Sequence, residues 1–280
     1  MMALKKLIPK FEFILQSLIG QQGSCPHCHS SRLTTVATKY RLIEIKRCED
    51  CQLFFTSPIY QSWISPEFYD KFYQAEGTTT AMPTPSVLSQ LIEKKFQDSD
   101  KYFGDRLESI GKFTEGRKLL EIGSSWGYFL YQAQLAGFEA TGIELSDTRR
   151  NYGIEHLQVN MHKNMSDLKD QKFDLIYTSH TLEHFTDLST IFRQITDYLQ
   201  PGGKLLIEVP NFDFFAFGHS VLSTIGAVHP MGFCSEFFQH NLPNYGLNVL
   251  GFYDCWQGFP HDLVSKSSRD IILVAAEKLT

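Results

Sequence analysis

The sequence predicts an α/β protein: a doubly wound, mostly parallel sheet preceded by a small cysteine-bearing ribbon. Three observations carry this. Beyond residue 118, short apolar runs of strand length alternate with helical runs, the pattern of a parallel sheet with helices on both faces. Two late strands, 247–253 and 270–276, have no helical run between them and are expected to lie antiparallel as neighbours. Ahead of all this stand two Cys-x-x-Cys pairs, Cys25/Cys28 and Cys48/Cys51, with 19 residues between them.

The chain has 280 residues, 42% hydrophobic and 20% charged, enough to bury a sizeable core. Its net charge of -5 argues against a dedicated nucleic-acid binder, which carries a clustered basic surplus. Residues 1–22 are expected to form an N-terminal helical segment, interrupted by Pro9, Lys10 and Glu12. No apolar run approaches the roughly 18 residues of a membrane helix, and no small-residue cleavage site follows the first segment. The expectation is a cytoplasmic protein without a signal peptide.

The two cysteine pairs fall in a unit spanning 23–76. A two-residue gap lets both thiolates of one turn face a single tetrahedral ion, and a second such turn supplies the other two ligands. Residues 35–37 and 40–45 between them are β-prone, as a hairpin joining two metal knuckles requires. Cys25, Cys28, Cys48 and Cys51 are therefore candidate ligands of a structural Zn²⁺. The alternatives are two disulfides or four free thiols, and a reducing compartment favours neither bridge. His27 and His29 flank the first knuckle, but four cysteines already complete the coordination. Cys234 and Cys255 stand alone and read as small buried hydrophobes. An aromatic extension follows, with Phe54, Phe55, Trp63, Phe68, Tyr69, Phe72 and Tyr73. Residues 77–112 read as a linker and a helix: apolar residues recur at three and four over 87–113, from Leu88 to Ile110.

The unit 113–280 carries the larger sheet. Strands are expected at 118–122, 139–143, 173–177 and 204–209, with helices at 128–136 and 188–199. After the first strand the chain reads Glu121-Ile-Gly123-Ser-Ser125-Trp-Gly127, a glycine turn leading into a helix. In such sheets a ligand sits at this carboxyl edge. Glycines at 123 and 127 allow a sharp turn or a close approach of backbone to ligand. Glu144 ends the second strand, 17 residues past Gly127, where a carboxylate accepts both hydroxyls of a ribose. A dinucleotide fingerprint would need glycines where Ser125 and Tyr128 stand, and no Gly-Lys-Ser/Thr phosphate loop occurs. Both of those nucleotide readings weaken.

In their order and spacing these residues resemble the class I S-adenosylmethionine-dependent methyltransferases. The resemblance covers about 113–278. It rests on the acidic-x-Gly-x-x-x-Gly turn from Glu121 to Gly127, on Glu144, and on Phe173-Asp-Leu-Ile-Tyr177. It rests also on Leu182-Glu183-His184 and on Leu199-Gln-Pro-Gly-Gly-Lys204. Ser125 stands where most of the family carries glycine, a variant similar to the subgroup that includes sugar C-methyltransferases. That subgroup also carries an N-terminal four-cysteine zinc module followed by a segment like Cys51-Gln-Leu-Phe-Phe-Thr-Ser-Pro58.

The resemblance implies a Rossmann-like, seven-stranded sheet whose last strand is antiparallel. It implies S-adenosylmethionine as cofactor, with Glu121, Gly123, Ser125 and Gly127 around its methionine part. Glu144 would hold the ribose, and Asn164 and Met165 would lie near the adenine. The Glu-His pair would face the acceptor, with His184 as base and Glu183 orienting it. His180, on the same stretch, is equally well placed, and neutral histidine suits proton removal near pH 7. Tyr69 and Tyr73 would close over the acceptor or serve as core.

The segment 212–238 holds seven phenylalanines, His219 and His229, but only Asp213 and Glu236 as charges. It is expected to shape the acceptor pocket and to suit a small molecule with an apolar or lipid-linked portion. The leading expectation is a small-molecule methyltransferase acting on a sugar or other secondary metabolite. Two alternatives are an rRNA or tRNA methyltransferase using the ribbon cluster Lys39, Arg41, Lys46 and Arg47, and a non-catalytic scaffold that keeps the fold.

Overall fold

The computed structural model describes residues 22–39, 41–59, 81–213, 225, 229–265, 267 and 269–280. The N-terminal segment up to residue 21, the aromatics Trp63, Phe68, Tyr69, Phe72 and Tyr73, and Phe214, Phe215, Phe217 and His219 lie outside them.

Three short strands come first, β1 (Leu33–Lys39), β2 (Ile43–Cys48) and β3 (Phe54–Ser57), then helices α1 (Pro85–Glu93) and α2 (Gly104–Phe113). The alternating part follows: β4 (Lys118–Ile122), α3 (Tyr128–Leu135), β5 (Glu139–Ile143), α4 (Asp147–Leu157), β6 (Asn160–His162), β7 (Phe173–Ser179), α5 (Leu188–Tyr198) and β8 (Leu199–Pro210). A two-residue strand β9 (Met231–Gly232), helix α6 (Ser235–Asn241), β10 (Leu247–Tyr253) and β11 (Ile271–Lys278) complete the chain.

Seven strands form one sheet in the order β10-β11-β8-β7-β4-β5-β6. β4 pairs in parallel with β5 and β7, β5 with β6, and β7 with β8. The final strand β11 runs antiparallel between β10 and β8, as the sequence predicts. Leu119, Leu120 and Ile122 are all buried because helices cover both faces, so adjacent residues of this strand are buried rather than alternate ones. Pleating still sorts neighbours. Leu120, Ile122, Ile176, Leu205 and Ile207 join the core on one face, and Leu119, Leu175, Tyr177 and Leu206 the core on the other.

The ribbon strands form a second, antiparallel sheet in the order β1-β2-β3-β9. Its fourth strand comes from the segment after β8, so the ribbon is knitted into the larger unit. Ile45, Leu53, Phe54 and Phe55 share one continuous core with Phe212, Phe233 and Phe237, and the rings of Phe54 and Phe212 lie 5.6 Å apart.

The helical run over 87–113 is two helices, not one. Lys95, Phe96 and Asp98 take positive φ, and Phe96 leaves the helix to bury its ring against Trp126 and Tyr131. The polar stretch from Gln97 to Lys101 has no apolar residue to carry the stripe across the break. Helix α4 and strand β6 have no counterpart in the residue-by-residue reading. β6 is three residues long, and among the buried residues of α4 only Leu157 is a large hydrophobe. β8 begins at Leu199, five residues ahead of the expected start at 204. Cys234 is fully buried, as expected, whereas Cys255 is only half-buried. Among the described residues no helix is long and apolar enough to cross a membrane.

Gly142 shows how tightly β5 lies on the turn after β4: an added Cβ would overlap the side chains of Leu130 and Ser124. Gly142→Ala is expected to lower the free energy of unfolding by about 1–3 kcal/mol, as overpacking does, measured by urea denaturation.

Candidate functional site

Strands β4, β5, β7 and β8 end at one edge of the sheet, and a cavity of about 830 Å³ opens there. Its lining includes Glu121, Gly123, Ser125, Tyr128 and Glu144 at one end and His180, Glu183, His184 and His229 at the other.

The first end is built by the turn between β4 and α3. Gly123 (φ 87°), Ser125 (φ 51°) and Gly127 (φ 82°) all adopt left-handed backbone, natural for glycine and rare for serine. An added Cβ at Gly123 would run into the Thr181 side chain, so glycine is required there on two counts. The turn is pinned to β5, since the N–H groups of Gly123 and Ser124 both donate to the Ile143 carbonyl at 2.9 and 3.0 Å. The N–H of Ser125 donates to Glu144 Oε2 at 2.9 Å, and that of Ser146 to Oε1 at 2.8 Å. Glu144 is thus held by one amide from each of two successive loops. Burial raises its carboxyl from the usual range, against the pull of these amides and of Arg149.

Glu121 is buried, and its Oε2 has no hydrogen-bond partner among the described residues; the same holds for Ser125 Oγ. Burial, reinforced by the Glu144 charge, pushes the Glu121 carboxyl up to about 8. Two carboxyls and an unsatisfied hydroxyl at a left-handed turn make an acceptor-rich cradle for a ligand with hydroxyl and cationic donors. Gly127 starts α3 and does not line the cavity. Nor do Asn164 and Met165. Asn164 caps the turn Met165–Leu168, its N–H donating to Asp167 at 2.9 Å, and Met165 is buried in the core.

The second end follows β7. Leu182 is fully buried and anchors a tight turn, Leu182–His184, which sets Glu183 and His184 at the cavity. His180 (φ 48°) donates its N–H to the Glu208 carbonyl at 2.8 Å. Its ring lies between carboxylates, Nδ1 3.7 Å from Glu183 and Nε2 3.8 Å from Glu208. Burial opposes a charge on His180, but Glu183 and Glu208 outweigh it and raise its pKa. Glu183 is moved the other way: burial would raise it, yet His180, His184 and His229 hold it low.

The ring of His229, contributed by the chain just before β9, meets that of His184 edge-on with centroids 4.6 Å apart. One polar atom from each of Glu183, His184 and His229 lies within 4.8 Å of the others. Sequence reasoning listed His229 only as part of an aromatic segment. Nothing local to residue 229 reveals that the ribbon folds it back onto β7.

Glu208 was also missed, although a lone charge inside Leu205-Leu206-Ile207-Glu208-Val209 was a signal. Its Oε2 accepts from Arg106 at 2.7 Å, Trp256 Nε1 at 2.8 Å and Tyr177 OH at 3.1 Å. Arg106 lies over the rings of Phe103 and Trp256. The network ties α2 and the turn after β10 to the floor of the cavity.

Away from the cavity, the four cysteine sulfurs converge. Cys25 and Cys51 Sγ are 3.5 Å apart, Cys28 and Cys48 3.4 Å, and all four lie within 4.8 Å of one another. A tetrahedron with metal–sulfur bonds of about 2.3 Å has edges of about 3.8 Å, so the set fits one thiolate-bound ion.

A family model described as "Methyltransferase domain" matches residues 93–248. Phosphoethanolamine N-methyltransferase 3 of Arabidopsis thaliana is 30% identical over 119 residues, 39% of this chain and 24% of that protein. A ubiquinone biosynthesis O-methyltransferase of Coxiella burnetii (strain Dugway 5J108-111) is 27% identical over 117 residues, 39% of this chain and 50% of that protein. The chain thus spans between a quarter and a half of these curated relatives. A solved S-adenosylmethionine-dependent methyltransferase from Clostridium acetobutylicum ATCC 824 has the same fold, with a TM-score of 0.51 at 12% identity over 70% of this chain and 98% of that one.

Removing the hub of the polar network leaves Arg106 and the buried Tyr177 hydroxyl without their acceptor. Glu208→Ala is therefore expected to cost about 3 kcal/mol of unfolding free energy, read from its denaturation midpoint at unchanged slope.

Proposed function

The chain belongs to the methyltransferase-domain family, and from that premise we propose that it is an S-adenosylmethionine-dependent methyltransferase acting on a small, hydroxyl-bearing acceptor such as a sugar. The observation that carries this reading is the division of one cavity into two chemically distinct ends. Paired carboxyls at Glu121 and Glu144 occupy one, and histidines beside Glu183 occupy the other. The relatives whose names specify phosphoethanolamine and ubiquinone biosynthesis support a small-molecule acceptor.

Bound S-adenosylmethionine supplies a methyl group activated on a sulfonium. Glu121, Gly123 and Ser125 would hold its methionine part and the amide-anchored Glu144 carboxylate its ribose, so the protein's main task would be to align the acceptor with the methyl group it supplies. A hydroxyl acceptor must also lose a proton. His184 is the base, with Glu183 orienting it and stabilising its charge, and His180 binds the acceptor beside it. The four cysteines hold a structural Zn²⁺, and having no open coordination position it takes no part in the transfer.

Calorimetric titration with S-adenosylhomocysteine tests the reading directly: saturable binding is expected, and its absence would sink the proposal. His184→Ala is expected to lower turnover about a hundredfold while leaving that affinity near normal; an undiminished rate refutes the role. Cofactor binding should also follow pH. Burial and the Glu144 charge raise the Glu121 carboxyl to about 8, so receiving a cation would be coupled to loss of its proton around neutral pH. Affinity should strengthen from pH 6 to about 8 and level off above, and Glu121→Gln should weaken binding and erase the dependence.

A further inference from the structure

The second cysteine knuckle is the turn between β2 and β3. β2 ends at Cys48, whose N–H donates to the Leu53 carbonyl at 2.9 Å, and β3 starts at Phe54. An ion held by Cys48 and Cys51 would therefore fix where β3 begins. The far side of β3 is occupied by β9, with Phe54 opposite Gly232 and Phe55 opposite Met231. One step further, the N–H of Thr56 donates to the Pro230 carbonyl at 2.9 Å, and the next residue back is His229.

β9 is two residues long, and among the described residues its backbone connection to the large sheet is the isolated bridge between Asn211 and Phe233, while Met231 and Phe233 pack into the shared core. Other ribbon contacts converge on the same region. Lys39 Nζ donates to the Ile225 carbonyl at 3.2 Å, and Asn241 Nδ2, on α6, donates to the Cys51 carbonyl at 2.9 Å. His27, inside the first knuckle, reaches Asn241 at 3.2 Å and Ser189 of α5 at 3.4 Å. A strand this short owes its local stability to its neighbour, and here the neighbour is the ribbon.

We propose that the four-cysteine ribbon braces the acceptor end of the cavity: through β3 it holds β9 and so presses His229, a positioning residue, against His184. This rests on the role proposed for His184. His229 orients the His184 ring through their edge-on contact, so losing the brace should affect the transfer step more than cofactor binding. The brace makes metal loading a condition of turnover although the ion touches neither substrate nor cofactor.

The test uses the full chain with zinc bound, then stripped by a strong chelator, then reloaded. Stripping should raise hydrogen exchange at amides 54–57 and 231–233 by about tenfold or more. It should lower kcat about tenfold and shift its pH profile. S-adenosylhomocysteine affinity should stay within about twofold, and zinc should reverse all these changes. Thr56→Pro, which removes the N–H given to Pro230, should lower kcat similarly while the metal stays bound. His229→Gln should shift the pH profile in the same direction with cofactor KM unchanged.

Unchanged exchange at 231–233 after stripping would overturn the proposal. So would stripping that abolishes nucleoside binding and raises exchange throughout β4 to β8, because the ribbon would then support the whole chain. Exchange reads the brace independently of chemistry, so a zinc-loaded chain that fails to bind the nucleoside refutes the proposed function and leaves the brace to be judged by exchange alone.

Discussion

Between β4 and α3 the backbone enters left-handed space three times, at Gly123, Ser125 and Gly127, and the cavity depends on that path. It directs the N–H of Ser125 at Glu144, leaves room for Thr181 beside Gly123, and leads through Gly127 into α3. Serine at 125 tolerates a conformation that costs a side-chain-bearing residue about 1 kcal/mol or more. The strain sits where a ligand would meet the backbone.

Electrostatics divides the cavity. At one end burial dominates, and Glu121 gains no counter-charge from the protein, so its proton is held until something cationic arrives. At the other end mutual attraction dominates, because Glu183 stands among three imidazoles and stays ionised although buried. Under the proposed function, that asymmetry suits a cationic methyl donor at one end and removal of a proton from the acceptor at the other.

The framework of the fold was legible in the sequence, because parallel strands covered on both faces leave short, mostly apolar stretches such as 118–122 and 173–177 alternating with helical runs. So was the turn that brings Glu121, Gly123, Ser125 and Glu144 to one cavity, since a strand-turn-helix imposes short-range spacing. What escaped reading depended on distant partners. β6 is too short to show a period, Phe96 breaks the helical run to reach Trp126, and β9 is a strand only because β3 lies beside it. His229 reaches the cavity by that same long-range pairing. The resemblance puts Asn164 and Met165 near the adenine, but Asn164 caps the turn Met165–Leu168 and Met165 packs in the core.

The two sheets share their interior. Phe54 and Phe55 from the ribbon interlock with Phe212, Phe233 and Phe237 from the segment after β8, with no polar layer separating them. The four-cysteine ribbon thus contributes side chains to the core of the larger unit. A chain trimmed to the larger sheet would present a bare aromatic flank to water, and such a flank invites self-association rather than a working monomer.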